Sequence, residues 1–521
     1  MKDEQHNFKQ WIALTAMSLG VFMGLLDVTV VNVALPTIVR DFNTTFTDLQ
    51  WVLNAYTLVY AVTLLIMSKL GDMYGRKKIF LGSLILFAVA SAVNGMASSL
   101  LILDIGRGIQ AIGGAGMMSL SMALVASNFS GQARGLALGT LGSVIAVSTA
   151  SGPLIGGYLV EHFGWPAIFY VNVPVAVIAV ILTALYVKET PSYGQQQRID
   201  LAGMGLSAAS LFALIYGLIL KESHPHWSWF DLHISGLLLS GLILLLLFIW
   251  VERHVENPMV DLTMFKRRHF VGIVIVAFAL GAGTYAYNAF LTALMQNYIG
   301  YSALQTGIRQ LTLSIWGLVL GPVAGILSTR YSQKWMISFS MLIGGLGLLL
   351  IALVTGPKVN FSDLWPGMVL LGIAGGLVNP LLNTAGMAGV QASEMGMASG
   401  LLNVFRQIGT TVGVVVLGLV QDQQYENYLH RHFQQIEAPQ QALTAIKNAL
   451  ITAGPFSGHS IAFSTRLKQT DFAQIVQQIV VKAYTNSMIA VSLTAAAIVI
   501  IGGISAAVLL HNHAETPKKH S

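Results

Sequence analysis

Residues 25–36 read LLDVTVVNVALP, a run of branched apolar residues that carries one carboxylate, Asp27. An ionised carboxylate in the hydrocarbon core of a bilayer costs roughly 2.5–3.5 kcal/mol even on the scale derived from helix insertion. A membrane helix therefore keeps such an acid mainly where the acid faces other helices and has a partner or a task. The sequence that surrounds Asp27 therefore indicates which fold the chain adopts.

The composition is that of a membrane protein. Of 521 residues, 55% are hydrophobic and 10% are charged, whereas about 25% are charged in an average soluble domain. The chain has no cysteine, which excludes disulfides and thiolate metal sites. A net charge of +6 is compatible with binding to nucleic acid. However, the Lys and Arg residues are concentrated in particular loops between the apolar stretches. We therefore expect a lipid bilayer and no nucleic acid as partner.

Apolar stretches long enough to cross a bilayer recur along the chain, and we predict about fourteen of them. The predicted spans are 11–35, 48–69, 79–97, 100–124, 135–160, 166–187, 200–220, 233–251, 270–298, 304–328, 335–356, 364–388, 397–420 and 486–510. Most Lys and Arg residues of the short loops fall on one side, whereas Arg40, Lys221 and Lys358 fall on the other. Because the basic side is cytoplasmic, we predict cytoplasmic termini and a multi-pass protein of the cell (plasma) membrane.

A weak internal repeat organises the spans. ARGLALGT at 133–140 is similar to EMGMASGL at 394–401, about 260 residues further on. The predicted domains are an N-terminal six-helix bundle at 11–187, a linker with two inserted helices at 188–252, and a C-terminal six-helix bundle at 264–510. The last domain includes a long polar extracellular loop, 421–485, in which apolar spacing predicts a helical hairpin.

Short motifs in both halves carry a resemblance to a known family. They are LDVTVVNVALP at 26–36, WVLNAYTL at 51–58, KLGDMYGRKK at 69–78, RGIQAIGGA at 107–115, SGPLIGG at 151–157, GWPAIFYVNVP at 164–174 and FRQIGTTVG at 405–413. The chain resembles the major facilitator superfamily, and within it the fourteen-span drug:proton antiporters. The resemblance implies an all-α polytopic membrane protein with the major-facilitator fold, alternating access, no cofactor, and use of a proton gradient.

The loop motif contains Gly71, Asp72, Gly75 and Arg76, and Ser68 takes the place of the family's usual first glycine. A carboxylate such as Asp72 can cap a neighbouring helix N-terminus and pair with the basic residues that follow it. The resemblance implies that this contact is a gate that closes the cytoplasmic side in one state. A basic loop that only sets topology would explain the cations equally well.

Small residues in the fifth span form a second motif, Gly152, Pro153, Gly156 and Gly157. Glycines allow close helix contact, and Pro153 removes a backbone donor. The resemblance implies that this motif marks antiporters rather than uptake symporters. Ordinary close packing is the alternative interpretation.

Arg107 is the predicted partner of Asp27. Asp27 lies nine residues before Pro36, near the outer end of the first span. Arg107 lies seven residues after Leu100, near the outer end of the fourth span. At a rise of 1.5 Å per residue these depths are about 13 and 10 Å, so the side chains can meet. Burial disfavours the ionised carboxylate and a guanidinium favours it, so we predict that Asp27 binds and releases the coupling proton.

Two alternatives accompany this prediction. Asp104 lies one turn from Arg107 and competes for its guanidinium. A purely structural bridge between Asp27 and Arg107 is the second.

Candidate cavity residues share helix faces at spacings of three and four residues: Tyr56 and Tyr60 in the second span, and Tyr285, Asn288 and Gln296 in the ninth. Such faces line a cavity where aromatic rings bind flat cations, or they pack between helices. Arg309, inside the tenth span, is a candidate contact for an anionic substrate group. To Arg406 we assign hydrogen bonds to helix carbonyls.

Other functions are disfavoured by missing motifs. The chain has no G-x-x-x-x-G-K-[ST], H-E-x-x-H or G-x-S-x-G sequence, and its histidines lie mostly in loops and tails. We therefore expect no ATP drive, no membrane-embedded enzyme and no metal site. We predict a proton-coupled exporter of small lipophilic, cationic compounds, active as a monomer, with any adaptor protein left open. An uptake symporter or uniporter of the same fold is the alternative.

Overall fold

The structure, a computed structural model, describes residues 2–44, 46–190, 200–224, 227–328, 330–388, 390–434, 436, 440–458 and 471–511. Regular structure in these ranges is helical, and we number the helices that correspond to the predicted spans α1–α14. They are α1 (Lys2–Phe42), α2 (Phe46–Tyr74), α3 (Arg76–Gly95), α4 (Leu100–Asn128), α5 (Gly131–Phe163), α6 (Asn172–Tyr186), α7 (Leu201–Ser223), α8 (Leu232–Glu252), α9 (Arg268–Tyr298), α10 (Ala303–Leu327), α11 (Gln333–Val354), α12 (Phe361–Met387), α13 (Met395–Phe433) and α14 (Asp471–Leu509). A further helix, Gln440–Gly458, precedes α14, and we name it the loop helix.

The membrane-spanning character of these helices is confirmed. Among the described residues, thirteen helices are long and apolar enough to cross a bilayer. The fourteenth is α5, whose segments 133–149 and 151–163 meet at an angle of 43°. Pro153 lies just after the bend and cannot donate a hydrogen bond to the carbonyl four residues earlier, which weakens the helix at that point.

The helices pack as two bundles with an inserted pair, so the predicted fold class is confirmed. In the first bundle α4 packs on α2 and α3, and α1 packs on α5 and α6. In the second, α11 packs on α12 and α14, and α9 and α14 pack on α13. The inserted helices α7 and α8 form an antiparallel pair, and α7 contacts both α2 and α13. The bundles meet chiefly along α5 and α10.

Helix α9 is not regular along its length. Two π-helical segments, Leu280–Tyr285 and Leu294–Tyr298, flank the α-helical segment Ala286–Ala293. A π-turn inserts an extra residue into the helix and is often found where a helix forms a functional site. Both π-helical segments of α9 contribute side chains to the cavity between the bundles.

The helices on either side of the long polar loop extend into it, in line with the helical segments predicted there. The helix predicted to end at 420 continues to Phe433, and the helix predicted to begin at 486 begins at Asp471. A separate apolar core explains both extensions, because Tyr425 and Leu429 of α13, Leu450 of the loop helix, and Val476 and Val480 of α14 bury one another. Residues 435, 437–439 and 459–470 of the predicted loop lie outside the described residues.

Candidate functional site

The structure brings Asp27 and Arg107 into direct contact. Arg107 Nη1 donates to Asp27 Oδ2, and both side chains are about 1% exposed. The other carboxylate oxygen, Oδ1, accepts hydrogen bonds from Gln110 Nε2 at 2.9 Å and Asn172 Nδ2 at 3.0 Å. The carboxylate is thus held between α1, α4 and α6, with donors on both oxygens, which offsets the cost of its burial.

A second layer fixes these donors. Gln110 Nε2 also donates to Ser91 Oγ at 2.7 Å, and its Oε1 accepts from Arg107 Nη1 at 2.7 Å. Arg107 Nε donates to the carbonyl of Val52 at 3.2 Å, and the guanidinium lies 4.2 Å from the ring centroid of Tyr56. This network orients the guanidinium towards Asp27 by contacts from three helices.

Asp104 does not join this cluster. Arg107 and Gln110 lie on the buried face of α4, whereas Asp104 lies at the edge of that face and is half-buried. Its Oδ1 atom has no hydrogen-bond partner within the part of the chain that the structure describes. The predicted competition for the guanidinium of Arg107 is therefore wrong in this conformation.

A cavity of about 500 Å³ lies between the two bundles. Side chains of both halves line it: Leu25, Val28, Thr29, Asn32, Val33, Tyr60, Met118, Ile145, Thr149 and Pro153 from the first, and Tyr285, Asn288, Ala289, Thr292, Ala293, Gln296, Asn297, Gln310, Asn403, Arg406, Gln407 and Thr410 from the second. Cavities of about 300–1,000 Å³ hold drug-sized ligands. The volume and the mixed apolar and amide lining fit a lipophilic small molecule.

Four of the predicted cavity residues line this space: Tyr60, Tyr285, Asn288 and Gln296. Tyr56 does not, because its ring is buried against the guanidinium of Arg107. Arg309 does not either: its guanidinium stacks over the ring of Tyr301, 3.9 Å from the centroid. Nη1 of Arg309 also donates to the carbonyl of Gln305 at 3.0 Å.

The arginine in the cavity is Arg406, for which hydrogen bonds to helix carbonyls were predicted. Its Nη2 atom contacts Asn383 Oδ1 at 3.4 Å. Its Nε and Nη1 atoms have no hydrogen-bond partner among the described residues. The prediction of carbonyl contacts is wrong. Because the described lining contains no carboxylate, it also gives no support to a preference for cations.

The cavity is closed at one end by contacts between α2 and α13, which we call the latch. Asp72 Oδ1 accepts from Arg76 Nε at 2.7 Å, and Oδ2 accepts from the backbone N–H of Met397 at 3.1 Å. Arg76 Nη2 donates to the carbonyl of Ala392 at 2.8 Å, and Ser68 Oγ donates to the carbonyl of Gly396. Asp72 thus caps the first turn of a helix in the other bundle.

The cavity extends away from the latch. The segment that precedes α9 lies near the latch, because Asp261 N lies 3.1 Å from Met397 Sδ, and α9 ends at Tyr298 on the opposite side. The lining runs from Arg406 in the middle of α13 to Asn297 at that far end. The structure therefore shows a conformation closed at the latch, with the cavity reaching towards the other face.

Both glycines of the loop motif, Gly71 and Gly75, support the latch. Gly71 packs against Leu120 of α4, and a side chain there would collide with it. Gly75 has φ of 108°, a conformation that favours glycine. Beside it, the carboxylate of Glu189 accepts from the backbone N–H groups of Lys77 at 2.9 Å and Lys78 at 3.2 Å. These contacts place Arg76 at the start of α3.

The small-residue motif of α5 faces two neighbours at once. Gly152 and Gly156 lie against Thr29 and Val30 of α1. On the other side, a Cβ atom on Gly307 of α10 would lie 2.9 Å from Leu154 N and 3.1 Å from Pro153 Cβ. A Cβ atom on Gly157 would lie 3.9 Å from Leu304 Cβ. The motif therefore connects the helix that carries Asp27 to the interface between the bundles.

Comparison with known proteins agrees with this architecture. The model of the Major Facilitator Superfamily matches residues 17–414. The chain is 33% identical over 415 residues to the multidrug resistance protein Stp of Mycobacterium tuberculosis (strain CDC 1551 / Oshkosh), covering 80% of this chain and 76% of that protein. It is 32% identical over 419 residues to the tetracenomycin C resistance and export protein of Streptomyces glaucescens, covering 79% and 76%.

Among solved structures, that of the human organic anion transporter MFSD10 is similar with a TM-score of 0.60 at 14% identity, covering 95% of this chain and 99% of that one. This likeness concerns the fold alone. The family match and the relatives show a multi-pass membrane transporter. The chain belongs to the major facilitator superfamily, and its place is the plasma membrane.

Proposed function

We propose that this protein exports small lipophilic compounds in exchange for protons, and that Asp27 binds the coupling proton. The observation that carries the proposal is the ion pair of Asp27 and Arg107, buried inside a membrane bundle. Ionisable groups at such depth are costly and commonly belong to ion or proton pathways. Two curated relatives, named for drug resistance and antibiotic export, support export as the direction.

Alternating access gives each part of the site a role. With cytoplasmic termini, as the loop charges predict, the latch lies on the cytoplasmic side and the cavity faces outwards. Cargo would leave and a proton would reach Asp27 in this conformation. Opening of the latch and closure at the far end would then release the proton inside. Protonation removes the charge of Asp27, so its ion pair with Arg107 would weaken as the bundles rock.

The energy available depends on the charge that moves. Each elementary charge crossing about 100 mV is worth roughly 2.3 kcal/mol, which corresponds to about a 50-fold concentration ratio because about 1.4 kcal/mol is tenfold. Exchange of one proton for one monovalent cation moves no net charge and uses the pH difference alone. Exchange for a neutral or anionic compound also uses the voltage.

The test uses inverted membrane vesicles with an acidic interior and a panel of fluorescent lipophilic compounds of different charge, ethidium included. We expect at least one compound to be accumulated and to evoke proton release with the wild type. Asp27→Asn should abolish both signals at equal protein abundance. Asp104→Asn is the matched control, because this acid lies on the same bundle but outside the Asp27 cluster, and it should retain both.

Equal pumping by Asp27→Asn and the wild type would place the coupling proton elsewhere. Proton movement in the same direction as the compound would indicate symport and contradict the proposed direction.

A further inference from the structure

Arg406 differs from the other two deeply buried arginines of the described chain. Arg76 has the carboxylate of Asp72, and Arg107 has that of Asp27. Arg406 is 5% exposed and lines the cavity, and among the described residues its side chain makes a single long hydrogen bond, to Asn383. Its Nε and Nη1 donors are without a protein partner among the described residues. A buried guanidinium in this condition is unfavourable until an acceptor reaches it.

The cavity lining around Arg406 mixes polar and apolar side chains. Asn403, Gln407 and Thr410 lie on the same face of α13 and line the cavity with it. Leu25, Val28 and Met118 of the first bundle belong to the apolar part of the lining. A ligand that matches this cavity combines an apolar body with one strongly accepting group at the Arg406 end.

The charge of that group follows from the side chains present. No Asp or Glu belongs to the described lining, so a cationic ligand would meet Arg406 without a compensating carboxylate. Like charges in a medium of low dielectric repel strongly, and an anionic group forms charge-assisted hydrogen bonds with a guanidinium. Arginine is also the cationic side chain best suited to carboxylate and phosphate recognition.

We propose that the cargo of this transporter is a lipophilic organic anion whose charged group binds the guanidinium of Arg406. The proposal rests on the proposed function only where it treats the bound anion as a transported compound. Binding of the anion to Arg406 does not depend on transport. It replaces the cationic preference expected from sequence, and it moves the role first considered for Arg309 to Arg406.

The test measures binding without any proton gradient, so its result is independent of coupling through Asp27. The full-length protein in lipid nanodiscs is titrated near neutral pH against two dyes that share the xanthene skeleton, fluorescein (an anion) and rhodamine 123 (a cation). Fluorescence anisotropy reports binding, and empty nanodiscs of the same lipid give the background. The variants are Arg406→Gln, Arg406→Lys and, as a matched control outside the cavity, Arg309→Gln.

We expect the wild type to bind fluorescein at least about tenfold more tightly than rhodamine 123, a difference of about 1.4 kcal/mol. Arg406→Gln should abolish this preference by weakening the binding of fluorescein alone. Arg406→Lys should keep part of the preference, and Arg309→Gln all of it.

Three results would overturn the proposal: tighter binding of rhodamine 123 by the wild type, no saturable binding of fluorescein, or an equal loss of both dyes in Arg406→Gln. The last would show that Arg406 only supports the shape of the cavity. Thermal unfolding of each variant, measured alongside, separates a loss of binding from a loss of folded protein.

Discussion

The carboxylate of Asp72 in α2 accepts a hydrogen bond of 3.1 Å from the backbone N–H of Met397, in the first turn of α13. This bond joins the two bundles, and the negative charge also lies at the positive end of the α13 helix dipole. The same carboxylate binds Arg76. One side chain therefore links the first bundle to the second and holds the arginine that reaches Ala392.

Asp72→Asn should shift the protein away from the conformation closed at the latch. Asn can still accept the hydrogen bond of Met397, but the change removes the negative charge at the N-terminus of α13 and the ion pair with Arg76. This loss costs about 1 kcal/mol, or about a fivefold change in the equilibrium. Because the chain has no cysteine, a Ser399→Cys probe can report the change; Ser399 Oγ donates to Ser119 O across the bundle interface. We expect faster labelling of this cysteine by a water-soluble maleimide in the Asp72→Asn background.

The control for this experiment is Asp363→Asn, which removes a capping carboxylate at the N-terminus of α12, within one bundle. Equal labelling in both backgrounds would contradict the latch.

Gly139→Val should separate the bundles at a close contact between α5 and α10. A Cβ atom on Gly139 of α5 would lie 2.5 Å from the carbonyl oxygen of Gly321 and 3.2 Å from the Cα of Gly325, both in α10. Overpacking of this kind costs about 1–3 kcal/mol. We expect a lower thermal unfolding midpoint than that of Gly82→Val, which makes the same change in the middle of α3 with no atom within 4 Å. Equal midpoints would show that the close contact contributes nothing to stability.

Leu450→Ala should loosen the loop helix without unfolding the bundles. Leu450 is 1% exposed and packs with α13 and α14 in a core separate from that of the bundles. Truncation of a buried leucine costs about 2–5 kcal/mol. Amide hydrogen exchange of residues 440–458 should accelerate, with α1–α12 unchanged. Asn448→Ala, an exposed position on the same helix, is the control; faster exchange in both variants, or in neither, would refute the docking role.

Voltage should drive export if the cargo is an anion. One proton entering while one anion leaves transfers two charges in the same sense, worth roughly 4.6 kcal/mol per 100 mV. In inverted vesicles without a pH difference, an imposed potential that is positive inside should cause accumulation of fluorescein with the wild type. The accumulation should be absent with Asp27→Asn, which controls for passive movement of the dye. Transport that responds to the pH difference alone would contradict the proposed charge.

The contact of Asp27 with Arg107 could be predicted because helix rise converts sequence separation into depth. The donors Gln110 and Asn172 were missed, although both lie within the motifs RGIQAIGGA and GWPAIFYVNVP. Asn172 lies just after a short helical turn, Ala167–Tyr170, whose geometry sets where the side chain points. Such local breaks have no periodic signal, so depth alone did not place Asn172 beside Asp27.

Two arginines of the second bundle, Arg309 and Arg406, illustrate the limit of depth arguments. Arg309 and Arg406 both lie inside predicted spans, and apolar periodicity does not distinguish them. Their surroundings do: Tyr301 and Phe361 provide aromatic faces for Arg309, whereas Arg406 meets the space left between the bundles. That space is a property of how the bundles are arranged, which requires contacts between distant parts of the chain.

Helix α1 presents Leu25, Val28 and Thr29 to the cavity while Asp27 points to the other side, into the cluster with Arg107. In the proposed exchange, proton and cargo consequently do not compete for the same atoms. Coupling between them must pass through the position of α1 rather than through direct displacement. Under the proposed mechanism, substitutions in the cavity wall can alter which compounds are carried and leave the Asp27 cluster intact, so the range of exported compounds can change by point mutation without loss of proton coupling.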